Sequence, residues 1–140
     1  KPTRRRCAWS TDGGETWKDW AVVDMLPDGQ QHRSYGCMGG LVRLPVQGRN
    51  VLIFSNLDTT NPKRERVTVW ASFDGGKTWP VKRLVFAGPS AYSSLAAAPD
   101  GTIYLLFERG EKKLYDHIAI ACFNLAWLTD GQDWRKLCPK

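Results

Sequence analysis

Eight residues occur twice in this chain: Ser10-Thr11-Asp12-Gly13-Gly14-Glu15-Thr16-Trp17 and Ser72-Phe73-Asp74-Gly75-Gly76-Lys77-Thr78-Trp79 differ at only two positions. Asp12 and Asp74 stand 62 residues apart, and self-similarity at a fixed period marks a repeat architecture. A repeat of that length has room for about one four-stranded antiparallel unit with generous loops. The box has a mechanical reading. Ser and Asp oxygens accept hydrogen bonds from the backbone of a tight turn, and the following glycines supply the positive φ that other residues resist. The Trp then folds back as an apolar plug with one N–H to satisfy. Arg6-Cys7-Ala8-Trp9 before the first box and Val67-Thr68-Val69-Trp70-Ala71 before the second read as strands, so each box belongs at a strand-to-strand turn.

Regular punctuation divides the rest. Trp20-Ala21-Val22-Val23 closes a first unit, and Pro27-Asp28-Gly29 opens a polar loop running to about Gly36. The second unit holds Gly40 to Leu44, a turn at Gln47-Gly48-Arg49-Asn50, Val51 to Phe54, the strand carrying the second box, and Val81 to Phe86. The third holds Tyr92 to Ala98, a turn at Pro99-Asp100-Gly101, Thr102 to Phe107, and a strand from His117 to Leu128. Leu128-Thr129-Asp130-Gly131-Gln132-Asp133-Trp134 reads as a shortened, decayed box. No segment shows a helical period. The chain is therefore expected to be all-β, with a half unit over 1–26, a second unit over 37–87 and a final unit over 88–135.

At 140 residues the chain suffices for one core. No apolar run approaches the roughly 20 residues that span a bilayer, and Lys1-Pro2-Thr3-Arg4-Arg5-Arg6 leads into a strand without the apolar stretch of a signal peptide. That start leaves the compartment open. The net charge of +6 raises nucleic acid as a partner through Arg4-Arg5-Arg6 and Lys63-Arg64-Glu65-Arg66. Most cations alternate with acids, however, which suits a solvated face or attraction to anionic glycans better than a phosphate track. Cys7, Cys37, Cys122 and Cys138 allow three pairings and match no zinc pattern. Cys7 and Cys122 lie in apolar strand contexts that favour buried free thiols. His32 and His117 lack partners at ligand spacing, so no metal is expected, and the paired glycines belong to the boxes rather than to a phosphate loop.

The boxes resemble the Asp-box repeats of the sialidase (neuraminidase) family and of other β-propellers. In that family they lie away from the substrate and staple the fold, a structural role that falls here to Ser10, Asp12, Gly14, Trp17, Ser72, Asp74, Gly76 and Trp79. Outside the boxes, Ser90-Ala91-Tyr92-Ser93-Ser94-Leu95 followed by Pro99-Asp100-Gly101 and an apolar strand ending in Glu108 is similar to the C-terminal signature of exo-α-sialidases. Ile118 to Leu128 resembles the family's last strand, and Cys37 to Pro45 the start of its penultimate blade. The resemblance covers nearly the whole chain. It implies the C-terminal part of a six-bladed propeller, about two and a half four-stranded antiparallel blades. Closing a ring takes about four to eight blades, so the sheet edges here call for the missing blades or for other copies of this chain.

By this resemblance Tyr92 matches the catalytic nucleophile, Arg64 one of three arginines gripping the sialic acid carboxylate, and Glu108 the glutamate that supports the arginine triad. The chemistry is coherent. An anionic nucleophile would be repelled by the carboxylate on the anomeric carbon, and a neutral phenol would not. A guanidinium fork suits a carboxylate through two parallel hydrogen bonds. Arg66, two residues on, competes with Arg64 under a small shift of register. The family's acid/base aspartate, the glutamate that activates the tyrosine and two further arginines find no counterpart here. The isolated chain is thus expected to have negligible sialidase activity. The implied partner is a sialylated glycan or sialic acid, no cofactor is implied, and a secreted or periplasmic setting is favoured. A non-catalytic carbohydrate-binding module and a purely structural Asp-box protein are the alternatives.

Overall fold

The structure is a computed structural model describing residues 3–33, 35–113 and 115–137. Strands β1 (Arg4–Trp9) and β2 (Lys18–Pro27) form an antiparallel pair. Strands β3 (Gly40–Arg43), β4 (Leu52–Leu57), β5 (Glu65–Ser72), β6 (Val81–Ala97), β7 (Ile103–Arg109) and β8 (His117–Phe123) follow one another across a curled antiparallel sheet in chain order. The 17-residue β6 serves two sheets in turn: Val81 to Pro89 pair with β5, and Ser90 to Ala97 pair with β7. The chain thus forms consecutive antiparallel units of two, four and three strands.

The last strand ends earlier than its sequence suggests. Asn124 accepts a hydrogen bond from the Trp127 N–H and caps a four-residue helix, α1 (Leu125–Leu128), so the extended run to Leu128 is broken at Asn124. The segment that resembles a decayed box is the exit from this helix. Asp130 and Gly131 adopt left-handed backbone angles, and the Asp130 carboxylate pairs with Arg83 at 3.3 Å instead of bracing its own turn. Trp134 stacks on Phe73 of the second box, rings 5.6 Å apart and 19° from parallel. The terminal segment therefore covers the core from outside. Cys138 lies outside the described residues.

Strand β5 is the centre of the molecule, and its residues Val67 to Ser72 are all buried. Val67, Val69 and Ala71 enter the main core with Ile53, Ile103, Leu105 and Phe107. Trp70 enters a second cluster with Leu26, Phe54 and Trp79 on the opposite face. Phe54 lies 5.7 Å from Trp70 and 6.2 Å edge-on from Trp79, geometries favoured by aromatic quadrupoles. Strand β7 alternates instead, with Ile103, Leu105 and Phe107 inward and Tyr104 and Leu106 outward. Apolar side chains stand exposed at both ends of the run, Trp20 and Val22 on β2 and Ile118 and Ile120 on β8.

Both boxes close through the same bonds. The Ser10 hydroxyl donates to Asp12 and accepts from the Gly14 N–H, and the Asp12 carboxylate accepts from the Thr16 N–H and hydroxyl. Ser72, Gly76, Asp74 and Thr78 repeat this set. The packing differs. Trp79 is buried against Phe54, whereas Trp17 is 56% exposed and donates its indole N–H to the Gly14 carbonyl. The Trp79 indole N–H has no hydrogen-bond partner among the described residues. The Thr16 hydroxyl and N–H, with Ser10, hold the Asp12 carboxyl well below the usual carboxylate range. At Asp74 burial acts upward, but the Thr78 N–H and hydroxyl and the Ser72 hydroxyl outweigh it, so its pKa is also lowered.

Because the Ser72 hydroxyl is buried and its Ser10 counterpart is not, Ser72→Ala will lower the unfolding free energy by ~1–3 kcal/mol and Ser10→Ala by less, read by denaturant melts. Equal losses would show that the packing around the second box adds nothing. Lowered carboxylates contribute stability above their unfolded pKa and lose it as pH falls through the folded value. The thermal midpoint will therefore fall progressively between about pH 5 and about pH 1, and Asp74→Asn will flatten part of that drop.

Candidate functional site

Tyr92 does not sit in a loop. It lies within β6 where the register slips: Ser90 faces Arg109 and Ser93 faces Phe107, so β6 carries one residue more than β7 over this stretch. A bulge of this kind turns a side chain out of the regular alternation. The Glu108 carboxylate fills the broken ladder, accepting the Tyr92 backbone N–H at 3.0 Å. Ser93, directly after it, is buried and shares a hydrogen bond with the buried Ser55 hydroxyl at 2.9 Å, and that oxygen also accepts the Gly40 N–H. The tyrosine is thus exposed on a backbone held from both sides.

Arg64 immediately precedes β5, and its carbonyl accepts the Ser90 N–H at 3.1 Å, which ties it to the stretch of β6 carrying Tyr92. Its guanidinium lies 5.2 Å from the Tyr92 ring centre and 5.8 Å from that of Tyr35. Its Nη1 donates to the Tyr115 hydroxyl at 2.8 Å. Burial acts against the cation here, but the Cys37 sulfur and the Tyr92 and Tyr115 hydroxyls favour it, and the pKa is raised above its ordinary value. Arg66, the rival in sequence, turns away. It has a left-handed φ of 66°, and its Nε donates to the Asp58 carbonyl. The irregular pairing between Glu65 and Val67 places two arginines two residues apart in different surroundings.

Several residues that the sequence reading passed over join this site. Tyr35 and Tyr115 come from the loops before β3 and before β8, and neither lies in a pattern that marks it. Gln30, in the stretch expected to be a polar loop, is 2% exposed. Gln31 beside it is tied to Thr3 and to the Gly29 carbonyl. Arg5 belongs to no solvated basic run. It pairs with Asp28 at 3.1 Å, donates to the Cys37 carbonyl and lies over the Phe54 ring. Gly29 is obligatory here, because a side chain on it would collide with Cys37. Glu108 and its neighbour Arg109 diverge, since Arg109 pairs with Glu111 and covers Phe86.

The arrangement sets one cation among three phenols, with a carboxylate behind the backbone of one of them. It can bind an anion. Among the described residues no three His, Cys, Asp or Glu side chains gather to hold a metal, and no helix is long and apolar enough to cross a membrane.

No protein-family model matches the chain. It is 37% identical over 129 residues to a sialidase of Micromonospora viridifaciens, an alignment covering 89% of this chain and 18% of that protein. The chain is a sialidase-family segment. An anhydrosialidase of Macrobdella decora is 29% identical over 140 residues, again with 18% of its length covered. Among solved structures, the Hadza microbial sialidase Hz136 superposes with a TM-score of 0.67 at 30% identity, over 91% of this chain and 24% of that one. The intramolecular trans-sialidase from Ruminococcus gnavus, solved with oseltamivir carboxylate, gives 0.66 over 91% and 29% of the two chains. At 21% identity that likeness speaks for the fold alone. This sialidase-family segment is nearly all β and shares the architecture of sialidase propellers, while spanning about a fifth of the curated relatives' length.

The cysteines of this sialidase-family segment depart from expectation. Cys37 is the buried thiol, Cys7 is half-buried and Cys122 is exposed, because on β8 it faces away from the core. Burial pushes the Cys37 thiol up to about 11, against the pull of Arg64 and Arg5. At mildly alkaline pH a thiol reagent will label Cys122 in the folded protein and spare Cys37 until denaturant is added. Rapid native-state labelling of Cys37 would show that the floor of the site is open.

Proposed function

We propose that this chain is the C-terminal portion of an exo-α-sialidase, a glycoside hydrolase that releases a terminal α-linked sialic acid through a tyrosine nucleophile. The observation that carries this reading is the Arg64 guanidinium set against the Tyr92 ring, with the Tyr92 backbone held by Glu108. In this scheme Arg64 holds the substrate carboxylate by charge-assisted hydrogen bonds. The bond to Tyr115 shows that the fork already presents an N–H to an oxygen at 2.8 Å. The Tyr92 hydroxyl gives its proton to the base as its oxygen bonds to the anomeric carbon, the glycosidic C–O bond breaks, and the leaving oxygen takes a proton from the acid. Water then releases the sugar from Tyr92. The neutral phenol avoids repulsion by the carboxylate on that carbon. Glu108 acts on Tyr92 by fixing the bulge that presents it. The acid, the base and the further arginines of this scheme belong to the remainder of the propeller.

The reading predicts binding by the 140-residue chain without turnover. Ligand-observed NMR with the methyl α-glycoside of sialic acid will show saturable binding, weakened by Arg64→Ala about ten- to a hundredfold, the range for loss of charge-assisted hydrogen bonds. Tyr92→Phe will retain binding, since it keeps the ring and removes only the hydroxyl. A complete propeller containing this segment will hydrolyse a fluorogenic sialoside and lose that activity with Tyr92→Phe. Absence of binding, or indifference to Arg64→Ala, would leave a structural Asp-box protein as the description.

A further inference from the structure

Arg64 forms one wall of a cavity of 560 Å³ whose lining extends away from Tyr92 and does not include it. Its walls include Tyr35, Tyr115, Lys63, Arg33 and the buried Gln30. Arg33, Lys63 and Arg64 bring three cations to it, and none has a carboxylate partner among the described residues. The one carboxylate in the lining, Glu65, is engaged by the Asn61 side-chain amide at 3.1 Å. The charge facing the cavity is therefore net positive and unpaired. A second observation points the same way. Gln30 is 2% exposed, its Nε2 donates to the Tyr35 carbonyl at 3.3 Å, and its Oε1 has no hydrogen-bond partner among the described residues. A buried acceptor without a partner is costly unless a donor reaches it. Tyr35 and Tyr115 are both mostly exposed, and an exposed aromatic face is a surface on which a sugar ring can lie.

The geometry points to a subsite for a second, negatively charged sugar, so that the preferred ligand is a glycan carrying an anionic group on the residue next to its terminal sialic acid. The inference rests on the reading of Arg64 as the group that holds the terminal carboxylate. The shared chemistry is one anionic group, a carboxylate or a sulfate ester, facing Arg33 and Lys63 while the ring lies against Tyr35 and Tyr115. Opposite charges set at this spacing favour the anionic glycan over a neutral one of equal length.

The test uses the 140-residue chain and four ligands followed by ligand-observed NMR: the methyl α-sialoside, sialyllactose as a neutral extension, α2,8-linked disialic acid, and sialyllactose with a sulfate on the galactose. The two dianionic ligands will bind about three- to thirtyfold tighter than sialyllactose, the range that two exposed ion pairs give. The better of the two identifies carboxylate or sulfate as the natural group. The preference will shrink toward unity in about 1 M salt and in the Arg33→Gln, Lys63→Gln double variant, whose circular dichroism and melting curve check that it folds. If the dianionic ligands bind no better than sialyllactose, or if the double variant keeps the preference, the subsite is wrong while the Arg64 reading stands. If the methyl sialoside itself does not bind, the Arg64 reading fails and takes the subsite with it.

Discussion

Burial of strand β5 on both faces is the constraint on which the other features depend. Val67, Val69 and Ala71 enter one apolar cluster while Trp70 enters another, so this strand cannot slip by one residue without exchanging a tryptophan for a valine in two packed interiors. Its C-terminal end leads directly into the second box, whose Ser72 hydroxyl is buried as it organises the turn. Its N-terminal end leads back to Arg64. A single register therefore sets both the structural turn at one end of the strand and the position of the Arg64 cation at the other.

The site itself is built from departures from regular pairing. Tyr92 occupies a bulge in β6, and Arg64 precedes an irregular start to β5 where Arg66 takes a left-handed φ. Polar groups support these departures from below. Ser55 joins Ser93 and Gly40, and the Asn56 amide bridges the carbonyls of Pro27 and Cys37 at 3.3 Å each. Both Ser55 and Asn56 are buried on β4, so one strand connects the first unit, the loop holding Cys37 and the strand of Tyr92. Buried networks with their groups satisfied give geometric definition that apolar contacts alone do not. Tyr92 lies on a strand and Arg64 immediately before one, while Tyr35 and Tyr115 come from loops.

Much of the fold could be read from local pattern. The boxes, the Pro-Asp-Gly turn and the alternating strands depend on neighbours along the chain, and such residues act through the same hydrogen bonds wherever they occur. The failures have a common cause. The apolar run from His117 to Leu128 is broken because Asn124 caps a helix, and a short apolar segment does not by itself distinguish strand from helix. Asp130 does not hold its own turn because Arg83, 47 residues away in sequence, claims its carboxylate. Cys122 reads as buried from its apolar neighbours, yet the strand's alternation turns it outward. Tyr35, Tyr115, Gln30 and Arg5 carry no local signal at all.

The sequence by itself determined the repeat and the nearly all-β architecture, since those readings need only spacing and residue type, while Tyr92, Arg64 and Glu108 came from the resemblance to the sialidase signature. Tertiary structure decided that Arg64 rather than Arg66 stands beside Tyr92, that the Glu108 carboxylate meets the Tyr92 backbone, and that two tyrosines and two further cations gather around Arg64. The physical reason is range. A turn is closed by hydrogen bonds between residues a few positions apart, whereas Arg64 and Tyr115 are 51 residues apart and meet only because the intervening strands pack in one register.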